Sequence, residues 1–133
     1  MSDPYLVWVE DDYRLRATLS HVLGVITQLK MILYGTSHAF ASSEPIEGTL
    51  VLVTDGNLGD GTCLDVIEHA VEIYGANRLG GTVLIFSGDP EREWHQAMHR
   101  ASALGLVPFF IMKPGDISVF ETWWSHVRTR FNQ

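Results

Sequence analysis

The sequence predicts a doubly wound, three-layer α/β sandwich built from five β-α units, and three observations carry that reading. Short, nearly continuous apolar runs recur along the 133 residues, helical patterns separate them, and polar groups stand immediately after several of the runs. Strands buried on both faces read as unbroken apolar stretches rather than alternating ones. Parallel neighbours need right-handed crossovers, and the crossover helices then cover both sheet faces.

Tyr5 to Val9 is the first strand, followed by a helix over Tyr13 to Leu23 that Gly24 is expected to stop. A weaker strand lies at Leu29 to Tyr34, and Gln28 and Lys30 at its start place it at the sheet edge. A short helical piece spans Ser37 to Ser43. Leu50 to Val53 is the third strand and Leu64 to Tyr74 the third helix, with Asp60 and Gly61 before it and Gly75 where it should end. Thr82 to Phe86 is the fourth strand. Asp89 with Pro90 suits the cap and first turn of a helix over Glu91 to Leu104, which Gly105 ends. Phe109 to Met112 is the fifth strand, and Asp116 caps a last helix over Ile117 to Phe131. There Phe120, Trp124, Val127 and Phe131 share one stripe at helical spacing, the expected core face. Trp123 lies off that stripe, where partial exposure beside Phe109 and the fourth helix would suit a dimer or partner surface.

The length suits a single domain over residues 1–133, long enough to bury a core unaided. A net charge of -7 disfavours unaided binding to nucleic acid or anionic lipid, so a protein partner or a cation is expected instead. Cys63 is the only cysteine, which excludes an internal disulfide, and it reads as a packing residue of the third helix. No apolar stretch approaches membrane-spanning length and no basic segment precedes an apolar one at the start. A soluble cytoplasmic protein without a removable signal is expected.

Open α/β sheets bind ligands at the carboxyl ends of their strands. The first strand ends in Val9-Glu10-Asp11-Asp12, the third in Val53-Thr54-Asp55, the fourth in Phe86-Ser87-Gly88 and the fifth in Met112-Lys113-Pro114. Acids, a hydroxyl and a lysine therefore converge on one edge. Carboxylates so close repel, which either raises their pKa values or calls for a cation. An all-oxygen cluster suits Mg²⁺, a hard ion that bridges carboxylates to phosphate, while Lys113 and Ser87 could hold remaining phosphoryl oxygens. Asp55 is the obvious nucleophile, since a carboxylate can form an aspartyl-phosphate. Taken alone, the acidic run also suits a helix N-terminus, and Ser87-Gly88-Asp89-Pro90 is a good turn sequence in its own right. The six histidines are scattered and read as structural or solvated.

In these residues the chain resembles the response-regulator receiver domains. YLVWVEDD, from Tyr5 to Asp12, is similar to the family's first strand and acidic pair, here Glu10 and Asp11. LVLVTDGNLGDGTCLD, from Leu50 to Asp65, places Asp55 at the phosphoacceptor. VLIFSGDP, from Val83 to Pro90, matches the switch hydroxyl at Ser87, and FFIMKP, from Phe109 to Pro114, the family lysine at Lys113. The resemblance covers essentially the whole chain. It implies a flavodoxin-like sheet of order 2-1-3-4-5, and Mg²⁺ held by Glu10, Asp11, Asp55 and the backbone carbonyl of Asn57. It further implies Lys113 paired with the phosphorylated Asp55, Ser87 swinging toward the phosphoryl group, Phe110 turning inward as the switch aromatic, and a cis Lys113-Pro114 bond. A histidine kinase or histidine phosphotransfer protein would donate the phosphoryl group. A downstream protein, or a homodimer, would use the face made by the fourth helix, fifth strand and fifth helix. The chain would catalyse only its own phosphorylation and dephosphorylation.

Departures from the family pattern bear on switching. Gly56 stands where an apolar residue is usual and Gly59 where a proline is, so the loop after Asp55 is expected to be more mobile than usual, and Cys63 separately replaces a common glycine. An interaction-only pseudo-receiver is the nearest rival reading. A haloacid-dehalogenase-type phosphatase wants an Asp where Asn57 stands, and an FMN-binding flavodoxin wants a phosphate loop where the first acids stand.

Overall fold

A computed structural model describes residues 3–131; the expected domain over residues 1–133 reaches beyond these at both ends. Five strands, β1 (Tyr5–Val9), β2 (Met31–Tyr34), β3 (Leu50–Thr54), β4 (Thr82–Ser87) and β5 (Val107–Met112), form one sheet of order β2-β1-β3-β4-β5. Every neighbouring pair is parallel. Helices α1 (Tyr13–Thr27), α2 (Ser37–Ser42), α3 (Cys63–Arg78), α4 (His95–Ala103) and α5 (Ile117–Val127) connect them. This is the flavodoxin-like α/β sandwich that the sequence predicts.

The strands look uniformly apolar because alternate side chains enter two different cores. Val7, Val9, Leu50, Leu52, Val83 and Ile85 pack with Phe40 of α2, Ile67 and Ala70 of α3, and Ala97 and Ala101 of α4. Leu6, Trp8, Val51, Val53, Leu84 and Phe86 pack on the other side with Leu23 of α1 and Phe120 and Val127 of α5. Phe86 meets Phe120 edge to face with centroids 5.2 Å apart and Trp8 at 6.4 Å. Full burial of such side chains contributes about 1.5–3 kcal/mol each. Among the described residues no helix is long and apolar enough to cross a membrane.

Several local expectations are corrected. Gly24 does not stop α1: Ile26 and Thr27 continue its core-facing stripe, and the helix ends where Gln28 turns left-handed at φ 58°. Gly75 does break α3, at φ 77°, but another turn runs on to Arg78. Asp60 does not serve α3. Its two carboxylate oxygens accept the amides of Ser37 and His38, at 3.0 and 2.9 Å, and so cap α2. Those bonds, the His38 amide foremost, hold its carboxyl below the usual aspartate range. The cap of α3 is Thr62, which accepts from Leu64 N while Asp65 accepts from Thr62 N. Replacing Thr62 with alanine is expected to lower stability by about 1 kcal/mol, readable by urea denaturation.

Nor does Asp89 cap a helix. The chain enters α4 through a 3₁₀ turn, Glu91–Trp94, that begins after Pro90 and has no side-chain cap, and the Asp89 amide donates to the Ser87 hydroxyl. Asp116 caps α5 as expected, accepting from Val119 N at 3.0 Å, but regular helix stops at Val127 and a 3₁₀ turn covers Arg128–Phe131. β5 begins at Val107 and contains Pro108, which is tolerable because β5 is an edge strand. In α5 the order of the tryptophans is reversed: Trp123 is buried with Phe120 and Val127, and Trp124 is half-buried against it. Both lie at allowed spacing from Phe120, three or four residues on, and packing under Phe109 selects the former.

Candidate functional site

The carboxyl ends of β1, β3 and β5 carry the candidate residues, and the backbone ladder continues just past each strand to fix them. Glu10 N donates to Tyr34 O at 2.9 Å, Asp55 N to Val9 O at 2.8 Å, and Lys113 N to Ser87 O at 2.8 Å. The side chains consequently point at one another. Lys113 Nζ lies 3.0 Å from both Glu10 carboxylate oxygens and 3.1 Å from Asp55 Oδ2. The Lys113-Pro114 bond is cis.

Glu10 is fully buried, Asp55 nearly so, and Asp11 is exposed at the rim. One oxygen from each of these three acids lies within 4.8 Å of the others, a cluster that could bind a metal. The fourth acid of the neighbourhood, Asp12, goes elsewhere: it caps α1, accepting from Arg14 N and Leu15 N. The macrodipole reading of the acidic run thus applies to Asp12, while Glu10 and Asp11 turn to the site. Asn57 uses its side-chain oxygen to accept from Gly59 N at 3.0 Å.

Three carboxylates against one ammonium leave excess negative charge. Burial pushes the Glu10 carboxyl up to about 8, the neighbouring Asp55 adds to the rise, and Lys113 opposes it. Asp11 is raised for the same reasons, desolvation first and Asp55 next. For Lys113 burial is the largest influence and pulls downward, but Glu10 and Asp55 together outweigh it and hold the ammonium above its ordinary value. Glu10 Oε1 is buried, and the Lys113 ammonium at 3.0 Å is the cation that faces it. Carboxylate oxygens converging from three acids, with more negative charge than one ammonium balances, fit a hard divalent cation.

Ser87 is buried, and its Oγ accepts from Asp89 N at 3.1 Å and from Trp94 Nε1 at 3.0 Å. Trp94 escaped the sequence reading. The available signal was Gly56, directly after Asp55: a Cβ there would overlap the Trp94 ring and come within 2.8 Å of Ser87 Oγ. Glycine at that position makes room for the indole. Phe110 is half-buried and packs toward the α3-α4 core. Phe109, Phe110, Val119 and Trp123 line an apolar hollow of about 290 Å³ between β5 and α5. Cys63 is buried, which pushes its thiol up to about 12 and fits an inert packing role. Among the described residues no histidine joins the acidic cluster.

No protein-family model matches the chain, and no curated protein does. Solved structures do. The non-phosphorylated receiver domain of HemR from Leptospira biflexa superposes with a TM-score of 0.72 at 25% identity, over 94% of each chain. A CheY-like response regulator receiver domain protein from Methanospirillum hungatei JF-1 gives 0.72 at 16% identity over 97% of each. The Vibrio cholerae chemotaxis protein CheY4 gives 0.72 at 15% identity, covering 95% of this chain and 99% of that one. The latter two similarities are of fold. With the sheet order and helix layers described above, they identify the chain as having the receiver-domain fold of the response regulators.

Proposed function

We propose that the chain is a phosphoacceptor receiver that takes a phosphoryl group on Asp55 with Mg²⁺ bound and signals to a protein partner. The observation that carries this reading is the Lys113 ammonium, 3.1 Å from Asp55 Oδ2 and 3.0 Å from Glu10, beside Asp11. Glu10, Asp11, Asp55 and the Asn57 carbonyl would hold Mg²⁺, which supplies charge neutralisation for the incoming phosphoryl oxygens. The Asp55 carboxylate attacks phosphorus, forming an O–P bond as the donor's N–P or acyl O–P bond breaks, and the leaving group departs with that electron pair. Lys113 stays paired with the modified Asp55, and Ser87 moves to donate to a phosphoryl oxygen. Phe110 turns inward as it does so. The chain modifies only itself.

The donor would be a histidine kinase, a histidine phosphotransfer protein or a small acyl phosphate. Output would pass through the α4-β5-α5 face, to a protein partner or a second copy of the chain. The apolar hollow lined by Phe109, Phe110, Val119 and Trp123 lies on that face. Cytoplasmic residence follows from such a donor. Intact-protein mass after incubation with acetyl phosphate and Mg²⁺ tests the reading. A single phosphate adduct is expected in the wild type and none in Asp55→Asn or with a chelator. No adduct from folded wild type that binds Mg²⁺ would make the chain a pseudo-receiver acting by interaction alone.

A further inference from the structure

Trp94 is a residue that the switch described above does not use, yet it touches the centre of it. A serine hydroxyl offers two lone pairs and one hydrogen. Both lone pairs of Ser87 Oγ are taken, one by the Asp89 amide at 3.1 Å and one by the Trp94 indole N–H at 3.0 Å. The Trp94 ring meanwhile fills the space a side chain at position 56 would occupy, next to the phosphoacceptor. Trp94 is also the last residue of the 3₁₀ turn that runs directly into α4, and it packs on the α3-α4 core. Phe110, the switch aromatic, has no hydroxyl with which to engage Ser87.

We propose that Trp94 is a positioning residue: its indole N–H latches Ser87 in the orientation of the unmodified protein, and release of that latch passes the state of Asp55 to α4. The inference rests on the phosphoacceptor reading. If Ser87 Oγ moves toward a phosphoryl group on Asp55, it must leave Nε1, and the indole loses its buried acceptor. The ring then has reason to shift, and α4 follows it in sequence with no intervening residue. The bond to Trp94 therefore opposes the modified state.

The test uses Mg²⁺ with beryllofluoride, a stable phosphoryl mimic, titrated into wild type, Trp94→Phe, Ser87→Ala and the double variant. Phenylalanine keeps an aromatic ring in the site and removes the donor. Trp94→Phe is expected to bind beryllofluoride about fivefold more tightly, the equilibrium worth of one neutral hydrogen bond. In the Ser87→Ala background the same change should have no effect, because the acceptor is gone. Independently, wild type grown with 5-fluorotryptophan should show the Trp94 fluorine resonance shifting on addition of Mg²⁺ and beryllofluoride. That second measurement stands even if a variant fails to fold. Weaker or unchanged binding by folded Trp94→Phe, an equal effect without Ser87, or an unmoved Trp94 resonance when beryllofluoride is bound would each overturn the latch alone. Absence of any bound beryllofluoride in the wild type would overturn the phosphoacceptor reading and the latch with it.

Discussion

Lys113→Met is expected to cut the rate of phosphate adduct formation by about 100-fold while tightening Mg²⁺ binding. The two effects have one cause. Lys113 Nζ contacts both Glu10 oxygens and Asp55 Oδ2, so it neutralises charge where a phosphoryl group would arrive and also competes with any cation for those oxygens. Losing one preorganised electrostatic partner in a water-poor site typically costs about 10²–10³ in rate. Methionine preserves most of the apolar stem and removes the Nζ that lies 5.7 Å from the Phe86 ring centroid. Removing the ammonium takes the nearest donor from both Glu10 and Asp55, and unfolding free energy should fall by about 2 kcal/mol near neutral pH, less than for a fully buried pair because the lysine is itself partly solvated. Adduct kinetics by intact mass, Mg²⁺ titration and urea denaturation measure the three quantities. Wild-type adduct kinetics in this variant would remove Lys113 from the chemistry. Weakened Mg²⁺ binding would mean that it organises the acids rather than competing for them.

The parts of this molecule that the sequence makes plain are those whose neighbours in space are dictated by topology. Once β1, β3 and β5 are parallel, the residues after them must meet at one edge, and Glu10, Asp11, Asp55 and Lys113 do meet there. Period-two alternation within the apolar runs was invisible because both sheet faces are covered, yet the runs themselves sufficed to place the strands. What escaped are contacts that depend on the exact path of loops. Asp60 caps a helix that begins 23 residues before it, a pairing no local pattern contains. The choice between Trp123 and Trp124 turned on packing under β5, because helical spacing admits either. Gly56 suggested a mobile loop, whereas its position is buried and bounded by the Trp94 ring. A missing side chain can mark a mobile segment or a seat for another residue, and sequence alone does not separate the two.

The acidic cluster makes stability depend on pH in a direction opposite to that of most folded-state carboxylates. Glu10, pushed up to about 8 from its ordinary value of 4.5, keeps its proton in the folded chain over a range where the unfolded chain has released it. The folded state then binds more protons, and stability falls as pH rises between those two values. A metal binds the ionised acids, so its binding displaces that proton and strengthens over the same interval. Without metal, the melting temperature should therefore decline from about pH 5 to pH 8, with Asp11 adding in the same sense. Saturating Mg²⁺ should do little at the acid end. At the alkaline end, an ion at 100 times its dissociation constant adds about 2.7 kcal/mol, on the order of 10 °C for a domain of this size. Glu10→Gln isolates the carboxyl: it should flatten the decline and abolish most of the Mg²⁺ effect. Scanning fluorimetry of both proteins across pH, with Mg²⁺ and with a chelator, reads all of this. Stability that rises toward pH 8 in the chelated wild type, and equally in Glu10→Gln, would mean that Lys113 keeps Glu10 ionised throughout. The site would then be a settled ion pair that a cation must break, and Mg²⁺ binding would be nearly independent of pH.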